Sequence, residues 1–193
     1  MVSVMESTDQ LINYRHLVTL PDGLRVLLRP LVAKDRDALV ALFANLPPEE
    51  THVFRSKIAN TELVASWAET PDYTRVFPLV ALVGERIVGN STLHLGSGYT
   101  RHIAETRIFL AREFRRRGIG SAMIKGQLEI ARKLGLHQVI AEIVESRPQV
   151  IHAFERLGFE RQFAWKDLFM TGEGETLDMI VLVNYLKRPG EVF

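Results

Sequence analysis

The sequence predicts an α/β fold of the α+β kind, a mixed sheet with helices packed on its faces. Three observations carry that expectation. Two apolar runs between Phe77 and Leu95 flank Val83-Gly84-Glu85-Arg86, which is the pattern of an antiparallel hairpin. A strand-like segment, Ile103 to Ala111, leads through a glycine-containing turn into a stretch with helical periodicity. Along the 193 residues the segments then alternate in the order β-α-α-β-β-β-α-β-α-β(β), which requires one sheet to be covered by the helices between its strands.

Each element has its own physical signal. Pro21-Asp22-Gly23 is turn chemistry, and Leu24 to Pro30 after it alternates partly and is stopped by proline, so it reads as a first strand. Ala33-Lys34-Asp35 opens a helix carrying Ala38, Leu39, Leu42 and Phe43 on one face, with Pro47-Pro48 to close it. A weaker helix covers Thr61 to Ala68. From Gly118 to Leu134 the apolar residues Ile119, Ala122, Met123, Ile130 and Leu134 share a helical face, and Gly135 follows as a C-terminal cap. Gln138 to Val144 is a strand, Pro148 to Leu157 a helix with proline in its first turn and Gly158 after its last, and Thr176 to Leu186 a final apolar strand. No repeat or linker divides the chain, so residues 17–193 are expected to form one unit behind a flexible N-terminal segment, residues 1–16.

Composition narrows the function. With 47% apolar and 24% charged residues the chain suits a water-soluble core, and its longest apolar run, Val76 to Val83, is far short of the roughly 20 residues that cross a bilayer. No membrane partner is expected. The start lacks the cationic and apolar stretches of a secretory leader and there is no cysteine, so a cytoplasmic location is the expectation, with no thiolate nucleophile and no cysteine-ligated metal. Net charge is +1, divided as −2 through Gly96 and +3 after it, and no aromatic platform interleaves the arginines, which argues against nucleic acid as a partner. A homodimer is left open.

Arg115-Arg116-Arg117-Gly118-Ile119-Gly120-Ser121 lies between a strand and a helix. Its glycines let backbone approach a ligand, the amides at the helix start lack partners, and the helix dipole and three arginines add positive potential. This is an anion cradle suited to a pyrophosphate. It lacks the third glycine of a dinucleotide fingerprint and the Gly-Lys-Ser/Thr of a Walker loop. The same residues also fit a solvated basic turn.

The run Ile108-Phe109-Leu110-Ala111-Arg112-Glu113-Phe114-Arg115-x-x-Gly118-x-Gly120-Ser121, followed by Val150-Ile151-His152-Ala153-Phe154-Glu155-Arg156-Leu157-Gly158-Phe159, resembles the GNAT superfamily of acyl-CoA-dependent N-acetyltransferases. The likeness covers about Leu24 to Leu186. A weaker one links Pro21 through Asp35 to the acetyltransferase domains of bacterial protein-lysine acetyltransferases. The resemblance implies a mostly antiparallel sheet of six to seven strands with helices on both faces, and acetyl-CoA as cosubstrate with no metal. It also implies that the pantetheine arm runs along Ile108, Phe109 and Leu110, and that the pyrophosphate lies on the amides of Arg116 to Ser121, with Arg115 among the cofactor-binding residues. The position where the family often carries a cofactor-contacting asparagine falls on Arg147, and the position of a thiolate-protonating tyrosine falls on Phe154.

Acetyl transfer to an amine needs a neutral nucleophile, and alkylamines are mostly protonated at neutral pH, so a base must take a proton. Glu105 resembles in position the glutamate several members use, and it also fits an ion pair with Arg107 or Arg101. Glu142, inside an apolar strand, fits a base or a satisfied structural carboxylate. His94 fits a base or a polar strand-end residue. Tyr73 and Tyr99 are alternative acids. The expected activity is N-acetylation of a primary amine, of a small molecule or a protein, by direct attack in a ternary complex. A catalytically weak acyl-CoA-binding domain is the alternative, motivated by Phe154 and the absent asparagine. The stretches Leu46 to Thr61 and Gly96 to His102, expected to shape the acceptor site, carry no readable code.

Overall fold

A computed structural model describes residues 11–44, 61–69 and 71–187. Eight strands form a single sheet in the order β1-β2-β3-β4-β5-β6-β8-β7. They are β1 (His16–Thr19), β2 (Arg25–Pro30), β3 (Val76–Val83), β4 (Arg86–Leu95), β5 (Ile103–Leu110), β6 (Gln138–Val144), β7 (Glu160–Met170) and β8 (Thr176–Tyr185). The described helices are α1 (Arg36–Ala44), entered through a 3-10 turn at Ala33–Asp35, α2 (Thr61–Glu69), α3 (Ile119–Lys133) and α4 (Pro148–Glu155). All neighbouring strands are antiparallel except β5 and β6, so the sheet is the mixed, mostly antiparallel one expected, with helices on both faces. The predicted stop at Pro47-Pro48 and most of the stretch Leu46 to Thr61 lie outside the described residues.

Strand alternation sorts the core into two layers. In β3, Phe77, Leu79 and Ala81 join Ile119, Met123, Ile124 and Ile130 of α3, and Ile151 and Phe154 of α4 belong to the same cluster. Val80 and Leu82 face the other way, against Leu39 and Phe43 of α1 and Val64 and Ala68 of α2. Gly89 is required where α3 crosses β4, because a Cβ there would stand 2.9 Å from Met123 Sδ and from Leu110 Cδ1. Gly135 (φ 73°) ends α3 as predicted, its N–H donating to Arg132 O.

Two features differ from the expectation. The sheet has eight strands rather than six or seven. The unpredicted β1 is only four residues long, and β7 is exposed along nearly all its length, so neither shows the burial contrast that period-2 reading depends on. The compact unit also begins before Leu17. Leu11 and Tyr14 sit in the main core and His16 is already in β1, with the Tyr14 hydroxyl donating to Glu129 on α3 at 3.2 Å. Burial first, and the charge of Glu129 second, push the Tyr14 hydroxyl pKa well above its ordinary value, so it remains a donor.

Another tie is buried. Arg29 grips Asp35 through two hydrogen bonds of 2.5 and 2.6 Å, and the Val32 amide donates to the same carboxylate at 2.9 Å. Burial alone would raise the Asp35 pKa, but these donors outweigh it and hold the carboxyl below its ordinary value. The Tyr73 hydroxyl donates to Leu31 O at 2.5 Å beside this pair, which spends it on the fold.

Candidate active site

The parallel neighbours β5 and β6 pair only over Ile103 to Glu105 against Gln138 to Ile140, although β5 continues to Leu110 and β6 to Val144. Beyond Glu105 the two strands part. On its other edge β5 stays paired with β4 throughout, and the bonds Gly96 N–H to Ile103 O and Ala111 N–H to Val88 O fix the phase of that ladder. Ile103, Glu105, Arg107 and Phe109 therefore direct their backbone groups to β4, while Thr106, Ile108 and Leu110 direct theirs into the opening. An edge of this kind can accept another extended chain of amide groups. Arg115 Nε donates to Leu110 O at 2.9 Å, consistent with that carbonyl pointing into the opening.

Both strands end at the same side of the sheet, and each runs into a helix there. After β5 comes the loop to α3. Arg116 takes a left-handed backbone (φ 61°), which costs a non-glycine residue roughly 1 kcal/mol, and Gly118 follows at φ 94° as the N-cap. The Gly118 carbonyl is met first by Ala122 N–H, and no side chain caps α3, so the amides of Ile119, Gly120 and Ser121 are left at the helix start where the dipole favours an anion. A Cβ on Gly120 would meet Ile108 Cδ1 at 3.7 Å, which places this first turn directly against the opening.

The three arginines of this loop divide their roles. Arg115 is tied to β5 and stacks on Phe109. Arg117 is ion-paired with Asp22 at 2.7 Å, and the Leu24 amide first and Arg117 second hold that carboxyl below its ordinary pKa. Arg116 is exposed. After β6, Arg147 is the N-cap of α4, its carbonyl accepting from Val150 and Ile151, and its side chain is half-buried at the same end of the sheet.

The candidate proton acceptors lie on the sheet face that α1 and α2 partly cover. Register places His94 opposite Glu105, and Glu105 beside Ile140, with Glu142 two residues further along β6. Strand spacing puts the Cα atoms of Glu105 and Glu142 roughly 8 Å apart. Arg107 holds Glu105 by two hydrogen bonds of 2.8 and 3.2 Å, the ion pair that their spacing on one strand face allows. His94 Nε2 lies 3.0 Å from Thr92 Oγ1. Phe109 contributes its ring to the α1 layer, 5.0 Å from Phe43, and its backbone to β4, so it backs the opening while Ile108 and Leu110 face it. Phe154 is 5% exposed, with its ring against Phe159 at 4.9 Å, and so belongs to the core before it belongs to any site. Tyr99 is 98% exposed, in the turn before β5.

Two residues that matter here were not singled out as site residues from the sequence. Arg107, two positions from Glu105 on one strand, shares its face by the period of two, a signal the sequence does contain. Asp22, 95 residues from Arg117, meets it only through the fold. Among the described residues no group of three histidine, aspartate or glutamate side chains could hold a metal, and no helix is long and apolar enough to cross a membrane.

The profile of the Acetyltransferase (GNAT) family matches residues 38–159. Among solved structures, a GNAT-family acetyltransferase from Streptococcus pneumoniae superposes with a TM-score of 0.73 at 18% identity, covering 83% of this chain and 99% of that one. The GNAT domain of PAT from S. lividans gives 0.70 at 18% identity, covering 86% and 95%. The protein yncA from Salmonella typhimurium, solved with its cofactor acetyl-CoA, gives 0.72 at 16% identity, covering 86% and 96%. At these identities the likeness is one of fold. No curated protein matches the chain in sequence.

Proposed function

Because the chain belongs to the GNAT acetyltransferase family, we propose that it transfers the acetyl group of acetyl-CoA to a primary amine, by direct attack while both substrates are bound. The observation that carries this reading is the opening between β5 and β6, with backbone groups of Ile108 and Leu110 along one edge and the uncapped amides of α3 at its end. An acyl-CoA has the matching parts: an amide-bearing arm for the strand edge and a pyrophosphate for the helix start.

In this reading the amine nitrogen forms a bond to the thioester carbonyl carbon and the carbon–sulfur bond breaks. The chain has no cysteine to carry an acyl group in between. The departing thiol has an acidity near that of cysteine, about pKa 8.5, so its sulfur leaves as thiolate without a strong acid, which suits the core position of Phe154. The proton lost by the amine passes to Glu105, directly or through water, with Arg107 fixing that carboxylate. Glu142 is the second carboxylate on the same face. Strand amides facing the opening at Ile108 and Leu110 are the donors for the developing oxyanion.

The test is thiol release from acetyl-CoA with a panel of primary amines and lysine peptides, alongside mass spectrometry of the acceptor. Turnover is expected with at least one acceptor, and Glu105→Gln should lower kcat by roughly 10² while acetyl-CoA binding holds. Tight acetyl-CoA binding with no turnover across the panel would overturn this reading in favour of a binding domain. A loss in Glu142→Gln and none in Glu105→Gln would move the base to β6.

A further inference from the structure

The face that carries Glu105 continues beyond β6 as a row of side chains with no described helix in its core layer. Register sets Glu142 opposite Val181 and Val181 opposite Phe163, then Val144 opposite Met179 and Met179 opposite Trp165. Opposed residues in an antiparallel ladder project to the same side, so a carboxylate beside the opening, the three apolar side chains of Val144, Val181 and Met179, and two aromatic rings form one strip. Phe163 and Trp165 have ring centroids 6.5 Å apart and remain 52% and 53% exposed, while Val181 and Met179 between them and β6 are buried. Two adjacent aromatic rings half in water form the start of a contiguous exposed apolar patch, the kind of surface that marks a contact site.

We infer that the acceptor is a primary amine carrying an apolar, preferably aryl, body. Its nitrogen lies between Glu105 and Glu142 at the mouth of the opening, and its body reaches past the buried Val181 to the exposed rings of Phe163 and Trp165. This names the acceptor class for the acetyl-transfer reading and rests on it. The chemistry selects among amines. A cation is drawn both by the carboxylate and by aromatic ring faces. A polyamine could pair a second nitrogen with Glu160, which stands opposite Val183 on the same face, but it would leave the rings of Phe163 and Trp165 without an apolar body to cover them. An anionic acceptor would meet only the carboxylate end. From β6 to β7 is two strand spacings, about 10 Å, which an amine with about two to four methylenes before its ring can span.

The experiment measures acetyl transfer to methylamine, butylamine, benzylamine, phenethylamine and 3-phenylpropylamine, with wild type and the Phe163→Ala/Trp165→Ala double variant. Equilibrium binding of 3-phenylpropylamine to each protein in saturating CoA is measured by calorimetry in parallel. Because both rings are exposed, the double variant should keep its melting temperature and its affinity for acetyl-CoA. In wild type kcat/KM should rise at least tenfold from methylamine to 3-phenylpropylamine, and the double variant should flatten that rise through KM and weaken 3-phenylpropylamine binding at least fivefold. Unchanged binding of 3-phenylpropylamine in the double variant would overturn the inference. So would conversion of a wild-type dimer to a monomer by the double substitution with KM untouched, since the rings would then cover a second copy of the chain. Should the amine panel give no turnover while 3-phenylpropylamine still binds and loses affinity in the double variant, the transfer reading fails and the amine site stands.

Discussion

Replacing Gly120 with valine separates the anion cradle from the fold that carries it. Gly120 lies in the first turn of α3 with ordinary negative φ, and the nearest atom a Cβ would meet is Ile108 Cδ1 at 3.7 Å, an ordinary contact. The Cβ itself therefore needs no movement, the γ-carbons meet only the end of the flexible Ile108 side chain, and valine is no worse a helix former than glycine, so stability should hold within about 1 kcal/mol. The new side chain points toward Ile108, into the space between the helix start and the open edge of β5. A pyrophosphate there would lose its approach to the amides of Ile119, Gly120 and Ser121. Hydrogen bonds to a charged group contribute about 1.5–3 kcal/mol each, so losing one corresponds to a rise in Kd of at least about tenfold, and losing two to well over a hundredfold. Calorimetric titration with CoA, beside a melting curve, reads both quantities. Unchanged CoA affinity in a Gly120→Val protein that melts at the wild-type temperature would refute the placement of the pyrophosphate.

Three further outcomes follow from the same geometry. Phe154→Tyr adds a hydroxyl to a buried ring packed on Phe159, where it should cost about 1–3 kcal/mol and bring no rate gain at low pH; a faster enzyme of unchanged melting temperature would place the ring at the sulfur instead. Asp35→Asn leaves Arg29 buried without its charge partner and should destabilise by about 3–5 kcal/mol. Since the folded Asp35 pKa is depressed, that stabilisation is present above the unfolded carboxylate value near pH 4 and is lost as pH falls through the folded value, so the gap in melting temperature between wild type and variant should close in acid. Asp22→Asn releases Arg117 beside the cradle and should tighten CoA binding by about two- to fivefold at low ionic strength, with the gain lost in high salt; no change at low salt would separate Arg117 from the phosphate site.

Periodicity and turn chemistry carried most of the fold, because the helices and central strands each bury one face. The α3 stripe from Ile119 to Leu134 and its stop at Gly135, the β3–β4 hairpin and the Pro148 helix start are all readable from one sequence. β7 was not: Glu160-Arg161-Gln162-Phe163-Ala164-Trp165 lies at the sheet edge, exposed on both sides, so no alternation marks it. The reach of Leu11 and Tyr14 into the core was equally hidden, since two apolar residues before a four-residue strand make no period. For the site, Gly118, Gly120 and the arginines announced an anion loop, but its ion pair to Asp22 depends on a turn nearly a hundred positions away. The opening itself leaves no trace in composition, because β5 and β6 carry the same apolar alternation before Glu105, where they pair, and after it, where they do not.

The central claim, that the parted edge of β5 holds the acyl-CoA, is tested most directly by residue-resolved amide hydrogen exchange of the free and CoA-saturated protein. The amides of Arg107 and Phe109 are already bonded to β4, and those of Ile108 and Leu110 face the opening. CoA should therefore slow exchange at Ile108, Leu110, Ile119, Gly120 and Ser121 by at least tenfold, with little change at Arg107 and Phe109. Uniform slowing along the whole of β5, or protection confined to another edge of the sheet, would contradict the account.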